Sequence, residues 1–149
     1  MTKTNKRNCW TDYPKRGKKN RMTPKSRKLQ LAKRHLERVL AAWTEPTDWD
    51  DLSLYGFYCL EATVEAAALH FGLRASKKHW EKVDDAEELH NKKGLPDISD
   101  LLRDLNDARK AAAYGDVDRP DLDAEDIALQ IEQYVDAVEA LIVAENDDE

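Results

Sequence analysis

Between Asp51 and Phe71 the chain offers a helix with no polar side. Leu52, Leu54, Tyr55, Phe57, Tyr58, Cys59, Leu60, Ala62, Val64 and the run Ala66-Ala67-Ala68-Leu69 fall on every face at about 100° per residue. Only Glu61 and Glu65 are charged between Leu52 and Leu69. A helix apolar all round has to be enclosed by other elements, because any face left in water would be a large exposed patch. Ended at Gly72, this segment is therefore the expected centre of a helical bundle. The remaining sequence uses the same vocabulary. Ala, Leu, Glu, Lys, Asp and Arg dominate, there are five glycines and five prolines, and no period-two alternation persists beyond a few residues. The expected fold class is all-α, an up-and-down bundle of four to five helices without a strand.

Start and stop signals divide the bundle into five helices. The first has Thr23 as N-cap and Pro24 in its first turn, and runs to about Trp43 with Leu29, Ala32, Leu36, Val39, Leu40 and Trp43 on its inner stripe. The second covers about 51 to 71. The third is expected from near Ser76 to Gly94, with Asp84 to Glu88 on a solvated face. The fourth opens after Pro96 with Asp97 or Ser99 as cap and ends at Gly115. The fifth follows Asp123 and repeats Ile127, Ile131, Tyr134, Val135, Val138 and Leu141 at helical spacing. Residues 1–22 read as a disordered basic arm, 23–145 as the bundle and 146–149 as an acidic tail.

Charge separates the arm from the body. Residues 1–38 hold fourteen lysines and arginines against Asp12 and Glu37, a net +12, and the rest of the chain carries −18 within a total of −6. The arm has almost no aliphatic content with which to order itself. Lys15, Arg16, Lys18, Lys19 and Arg21, with Trp10 and Tyr13 interspersed, suit nucleic acid, since cations meet phosphates while rings stack on bases. The same arm would also suit an acidic protein surface, and the acidic body would itself repel RNA away from the arm. No apolar run follows the basic start and no stretch approaches the roughly 20 apolar residues of a membrane span. A cytoplasmic protein with no membrane association is expected. Cys9 and Cys59 form no disulfide framework or metal knuckle, and the four histidines have no metal-ligand spacing, so neither metal nor cofactor is expected.

Arg109 is the residue that stands out. Ile98, Leu102 and Leu105 lie within roughly 40° of it around the fourth helix, which places a guanidinium on the buried face or at its edge. Such an arginine is either paired or open to a ligand. Glu61 and Glu65, one turn apart on the central helix, are the carboxylates that would neutralise it, and a Glu61–Arg109 ion pair is the structural expectation. Tyr114 lies about 140° round the same helix from Arg109. Gly115 is a left-handed cap and Asp116 starts the loop beyond it.

Arg109, four residues and then Tyr114-Gly115-Asp116, on the penultimate helix of a small helical chain, resembles the signature region of the HEPN superfamily, the higher eukaryotes and prokaryotes nucleotide-binding domain. Leu54-Tyr55-Gly56-Phe57-Tyr58-Cys59-Leu60-Glu61-Ala62 is similar to its aromatic-rich early helix, and the resemblance extends over roughly residues 25 to 145. It implies a HEPN-like homodimer in which two signature arginines meet in one RNA-facing site, with Arg109 and Tyr114 as site residues and Glu61 and Asp116 supporting them. It also implies a setting in toxin-antitoxin or phage-defence systems, beside a nucleotidyltransferase-like partner.

The active ribonucleases of that superfamily carry the arginine, then four to six residues, then a histidine. This chain has Tyr114 there, Lys110 directly after the arginine, and no histidine beyond His90. A tyrosine, with a pKa ordinarily near 10, is a poor base for a ribose 2′-hydroxyl. Binding therefore survives the departure better than cleavage. The expected function is a dimeric RNA-binding protein of the tyrosine-variant branch. The alternatives are a metal-independent endoribonuclease in which another histidine, His79 or His90, supplies the base, and a non-enzymatic helical protein-interaction module.

Overall fold

Thirteen of the 22 residues of the central helix are buried, on all of its sides, and the rest of the chain wraps it. The computed structural model describes residues 22–74, 76–115 and 121–147. Its five helices are α1 (Pro24–Ala42), α2 (Trp49–His70), α3 (Glu81–Lys93), α4 (Ser99–Tyr114) and α5 (Ala124–Asp147). Among the described residues there is no strand. Each of the other four helices packs on α2, α1 most extensively, and α1 also meets α5 while α3 meets α4. The fold is an all-α bundle.

Local chemistry sets the helix starts. The Thr23 hydroxyl accepts the Ser26 N–H at 3.2 Å with Pro24 in the first turn, as the sequence predicts. Asp48 caps α2 through the Asp51 N–H at 3.1 Å, and Asp123 caps α5 through Asp126 at 3.2 Å. Asp97 accepts both the N–H and the hydroxyl of Ser99 at the start of α4. Those hydrogen bonds, the hydroxyl's first, hold its carboxyl below the usual carboxylate range. Gly94 and Gly115 end α3 and α4 in the left-handed region, with φ of 76° and 75°.

The core runs through Val39, Leu52, Phe57, Leu60, Val64, Leu89, Leu102, Leu105, Ile131 and Tyr134, all at most 1 % exposed. Burying each such side chain contributes roughly 1.5–3 kcal/mol before chain entropy is set against it. Gly56 is the closest approach: a Cβ there would stand 3.1 Å from Ile131 Cδ1 and 3.3 Å from Leu105 Cδ1, so its missing side chain lets α4 and α5 close on α2. At one end Lys25, His70 and Glu145 join, Glu145 bonding Lys25 and lying 2.8 Å from His70. The start of α1 thus meets the ends of α2 and α5, so α1 runs antiparallel to both.

Three expectations shift. Helix α3 begins at Glu81 rather than near Ser76, because the Ser76 N–H and hydroxyl are both taken by Asp85 at 3.0 Å and the residues before Glu81 form a connection. Leu40, expected on the inner stripe, is exposed, and Ala42 takes the buried position on that turn. Helix α5 continues to Asp147, two residues into the expected tail. Asp84 and Glu87 are exposed as expected of a solvated face. No described helix is long and apolar enough to cross a membrane.

Candidate functional site

Phe57 occupies the middle of α2 with its ring fully buried, and a guanidinium and an imidazole from different elements pack on it. The Arg109 guanidinium, from α4, lies 4.9 Å from the ring centroid, and the His79 imidazole, from the α2–α3 connection, meets it edge to face at 5.3 Å. Glu61, one turn along α2 from Phe57, hydrogen-bonds His79 Nδ1. Its side chain is 10 % exposed whereas the imidazole is 51 % exposed, so a buried acid orients an accessible ring.

The expected Glu61–Arg109 ion pair does not form. Glu61 is taken by His79, and Glu65 by Lys28 at 2.9 Å and Lys82 at 3.2 Å. The connection folds back over α2 and brings His79 to Glu61, while Lys28 from α1 and Lys82 from α3 occupy Glu65. Arg109 instead donates to Asn106 Oδ1 at 2.8 Å, one turn back on its own helix, and its Nε is buried without a hydrogen-bond partner among the described residues. Among the described residues no carboxylate neutralises it. Its position at the edge of the buried face, half-buried, is the one the α4 stripe predicts.

Tyr114 is 73 % exposed and still helical, so it remains about 140° round α4 from Arg109 and the two do not converge within one chain. Asp116 and the arm residues Lys15, Arg16, Lys18, Lys19 and Arg21 lie outside the described residues. His90 is engaged elsewhere: its Nδ1 donates to the Leu95 carbonyl at 2.7 Å and helps close α3. Phe57 and Asn106 are site residues that sequence reasoning does not single out. The signal that could have found Phe57 is spacing, since Phe57, Glu61 and Glu65 recur every four residues along α2.

A second line of rings crosses from α1 to α2. His35 lies 5.9 Å from Tyr55 and 5.8 Å from Tyr58, Arg38 stands over Tyr55 at 5.2 Å, and Tyr58 touches Phe57 at 6.0 Å. Burial first, and the neighbouring Arg34 second, hold the His35 pKa below its ordinary value. A cleft of about 470 Å³ elsewhere, between the α1–α2 turn and the start of α5, is lined by Trp43, Pro46, Glu45, Asp123 and Glu125. Its carboxylates suit a phosphate poorly. Among the described residues no group of three or more His, Cys, Asp or Glu side chains is placed to hold a metal ion. Cys59 is buried at the α1 contact with its thiol on the Ala32 carbonyl at 3.2 Å; desolvation pushes its pKa up to about 12, and it is a packing residue.

Chemically, the centre offers a guanidinium free to take an anion and an imidazole whose Nδ1 is held by a carboxylate, leaving Nε2 to accept or donate a proton. Compared with protein-family models, curated proteins and solved structures, the chain matches none.

Proposed function

We propose that this protein binds RNA, with Arg109 holding a backbone phosphate. The single observation that carries the reading is an arginine that no carboxylate among the described residues neutralises, on an acidic body. A guanidinium at the edge of a core is ordinarily neutralised, and here the two acidic candidates on α2 serve His79, Lys28 and Lys82 instead. Its position over Phe57 fixes the fork, and a phosphate can take two of its N–H groups at once. The HEPN resemblance supports the same residue, and under it two copies pair so that exposed Tyr114 of one approaches Arg109 of the other.

The Glu61–His79 pair favours a second reading, a metal-independent endoribonuclease. Paired with a carboxylate through Nδ1, His79 has the tautomer in which Nε2 accepts a proton. In such a reaction the ribose 2′-oxygen attacks phosphorus as His79 takes its proton, Arg109 stabilises the pentavalent phosphate, and the 5′-oxygen leaves and takes a proton from water.

Gel shift and cleavage of a mixed RNA pool, without added metal, test both readings on the wild type, Arg109→Ala and His79→Ala. Circular dichroism monitors folding. Arg109→Ala should remain folded, since the cation–π interaction over Phe57 contributes about 0.5–2 kcal/mol and no described carboxylate is orphaned, and it should weaken the shift. Undiminished binding in a folded Arg109→Ala protein would sink the proposal. Cleavage that disappears with His79→Ala while the shift persists would establish the second reading.

A further inference from the structure

We infer that the α2–α3 connection is a contact surface for single-stranded nucleic acid, with Trp80 as the stacking platform and Arg74, Lys77 and Lys78 as the phosphate contacts. The inference rests on the nucleic-acid reading above for the class of ligand, and on different residues for its site.

Three observations carry it. Trp80 is 64 % exposed, the most open of the described tryptophans, and Lys78 stands over its ring at 5.4 Å. Arg74, Lys77 and Lys78 share a cleft of about 380 Å³ with Ser76 and a single carboxylate, Glu81. Among the described residues none of these three cations forms an ion pair. On a body that carries −18 beyond residue 38, a concentration of three free cations in five positions is a local reversal of sign.

Among the described residues Glu81 is the one carboxylate in the cleft, and three other nearby acids are engaged away from the cations. Glu65 serves Lys28 and Lys82, Asp85 holds the N–H and hydroxyl of Ser76, and Glu61 holds His79. These same bonds fasten the connection. Lys82, 3 % exposed, donates to the Ser76 carbonyl from inside while Asp85 grips the same residue from α3. The backbone that presents Lys77, Lys78 and Trp80 is therefore anchored at Ser76 and at His79, a preorganised surface with little ordering entropy left to lose on binding.

An exposed indole flanked by cations recognises a base and its phosphates together. Duplex bases are already stacked and offer no free face to it. Trp80 directly follows His79, whose half-exposed ring meets Phe57 beside Arg109, so a strand on Trp80 would need only a short reach to that centre. The connection would then load what the centre holds.

Fluorescence anisotropy decides the matter, using a labelled oligonucleotide of about 15 nucleotides as RNA, as DNA and as RNA duplex. The proteins are the full chain, Trp80→Ala, Lys77→Glu/Lys78→Glu and Arg109→Ala. Trp80→Ala should weaken single-strand binding about tenfold and leave the duplex unchanged. The double charge reversal should lower the salt slope by at least about 1.4. Loss on RNA alone assigns RNA, and loss on both single strands assigns strands generally; either supports the inference. Unchanged affinity in both connection variants, or equal loss on duplex, overturns it, as does a matching loss on labelled polyglutamate, which would assign the surface to an acidic peptide. If Arg109→Ala weakens binding and the connection variants do not, the Arg109 reading stands and this one falls. The converse result keeps the connection and sinks Arg109.

Discussion

Tyr134 and His35 show how single polar groups are carried by this core. The Tyr134 ring is wholly enclosed, yet its hydroxyl has no hydrogen-bond partner among the described residues, and burial raises its pKa above the ordinary tyrosine value. An unsatisfied buried hydroxyl costs stability, so Tyr134→Phe, which keeps the ring and removes that group, should stabilise the protein by about 1 kcal/mol in urea denaturation. A loss of stability would mean that the hydroxyl finds a partner in solution. His35 makes a pH prediction. Its native pKa is depressed by burial and by Arg34, while Arg38, Tyr55 and Tyr58 complete its surroundings, so between the native value and about 6.5 the unfolded chain binds the extra proton. Its contribution is therefore complete above about pH 6.5 and diminishes as pH falls from there toward the native pKa. His35→Gln should flatten the stability curve in that window, measured by urea midpoints at successive pH values. The residue scale is also where sequence reasoning is least complete. The α4 stripe places Arg109 correctly because helical periodicity is a local property. Its partner is not local: Glu61 pairs with His79 because of how the connection after α2 folds over that helix, and no spacing within either helix encodes that.

At the scale of elements, caps and periodicity suffice and irregular backbone is where they fail. Thr23 and Pro24 start α1, Gly94 and Gly115 stop α3 and α4, and the stripe of α5 from Ile127 to Val138 is buried as its spacing predicts. Ser76 misleads because a serine ahead of a polar run looks like an N-cap, whereas here it is the point at which Asp85 and Lys82 pin a connection. That shift of the helix start from near Ser76 to Glu81 turns Lys77, Lys78 and Trp80 from a helix face into an exposed surface. Gly56 is the element-scale feature whose meaning only packing reveals. In a helix interior a glycine ordinarily costs about 1 kcal/mol relative to alanine. Here its place against Ile131 and Leu105 lets α4 and α5 approach α2. Gly56→Val should destabilise the bundle by about 1–3 kcal/mol through overpacking, read from the urea midpoint at unchanged m-value. A neutral result would show that α4 and α5 can move apart without cost, and would remove Gly56 as the register point of the core.

At the scale of the whole molecule the governing fact is the division of charge. Residues 1–21 carry eight of the 24 lysines and arginines against Asp12, so removing them takes the chain from −6 to −13. Among the described residues the buried core runs from Leu29 to Ile142, and residues 1–21 lie outside the described residues. Fold and charge should therefore separate on truncation. Deleting residues 1–21 should leave a cooperative thermal transition with a midpoint close to that of the full chain, while RNA affinity falls and its dependence on salt becomes shallower. Every phosphate that the protein ceases to neutralise reduces the slope of log affinity against log salt by about 0.7 for a single strand, so a segment that neutralises about three phosphates lowers it by about 2 when removed. The truncated chain also isolates what the bundle itself recognises, because a body of −13 repels a polyanion except where cations such as Arg74, Lys77, Lys78, Arg109 and those of α1 reverse the local sign. Residual single-strand binding that Trp80→Ala or Arg109→Ala then abolishes would divide the labour, with the arm attracting the strand over long range and the bundle selecting it by stacking and by the fixed guanidinium. An unchanged salt slope after truncation would instead place every phosphate contact on the bundle and leave the arm free for an acidic protein surface.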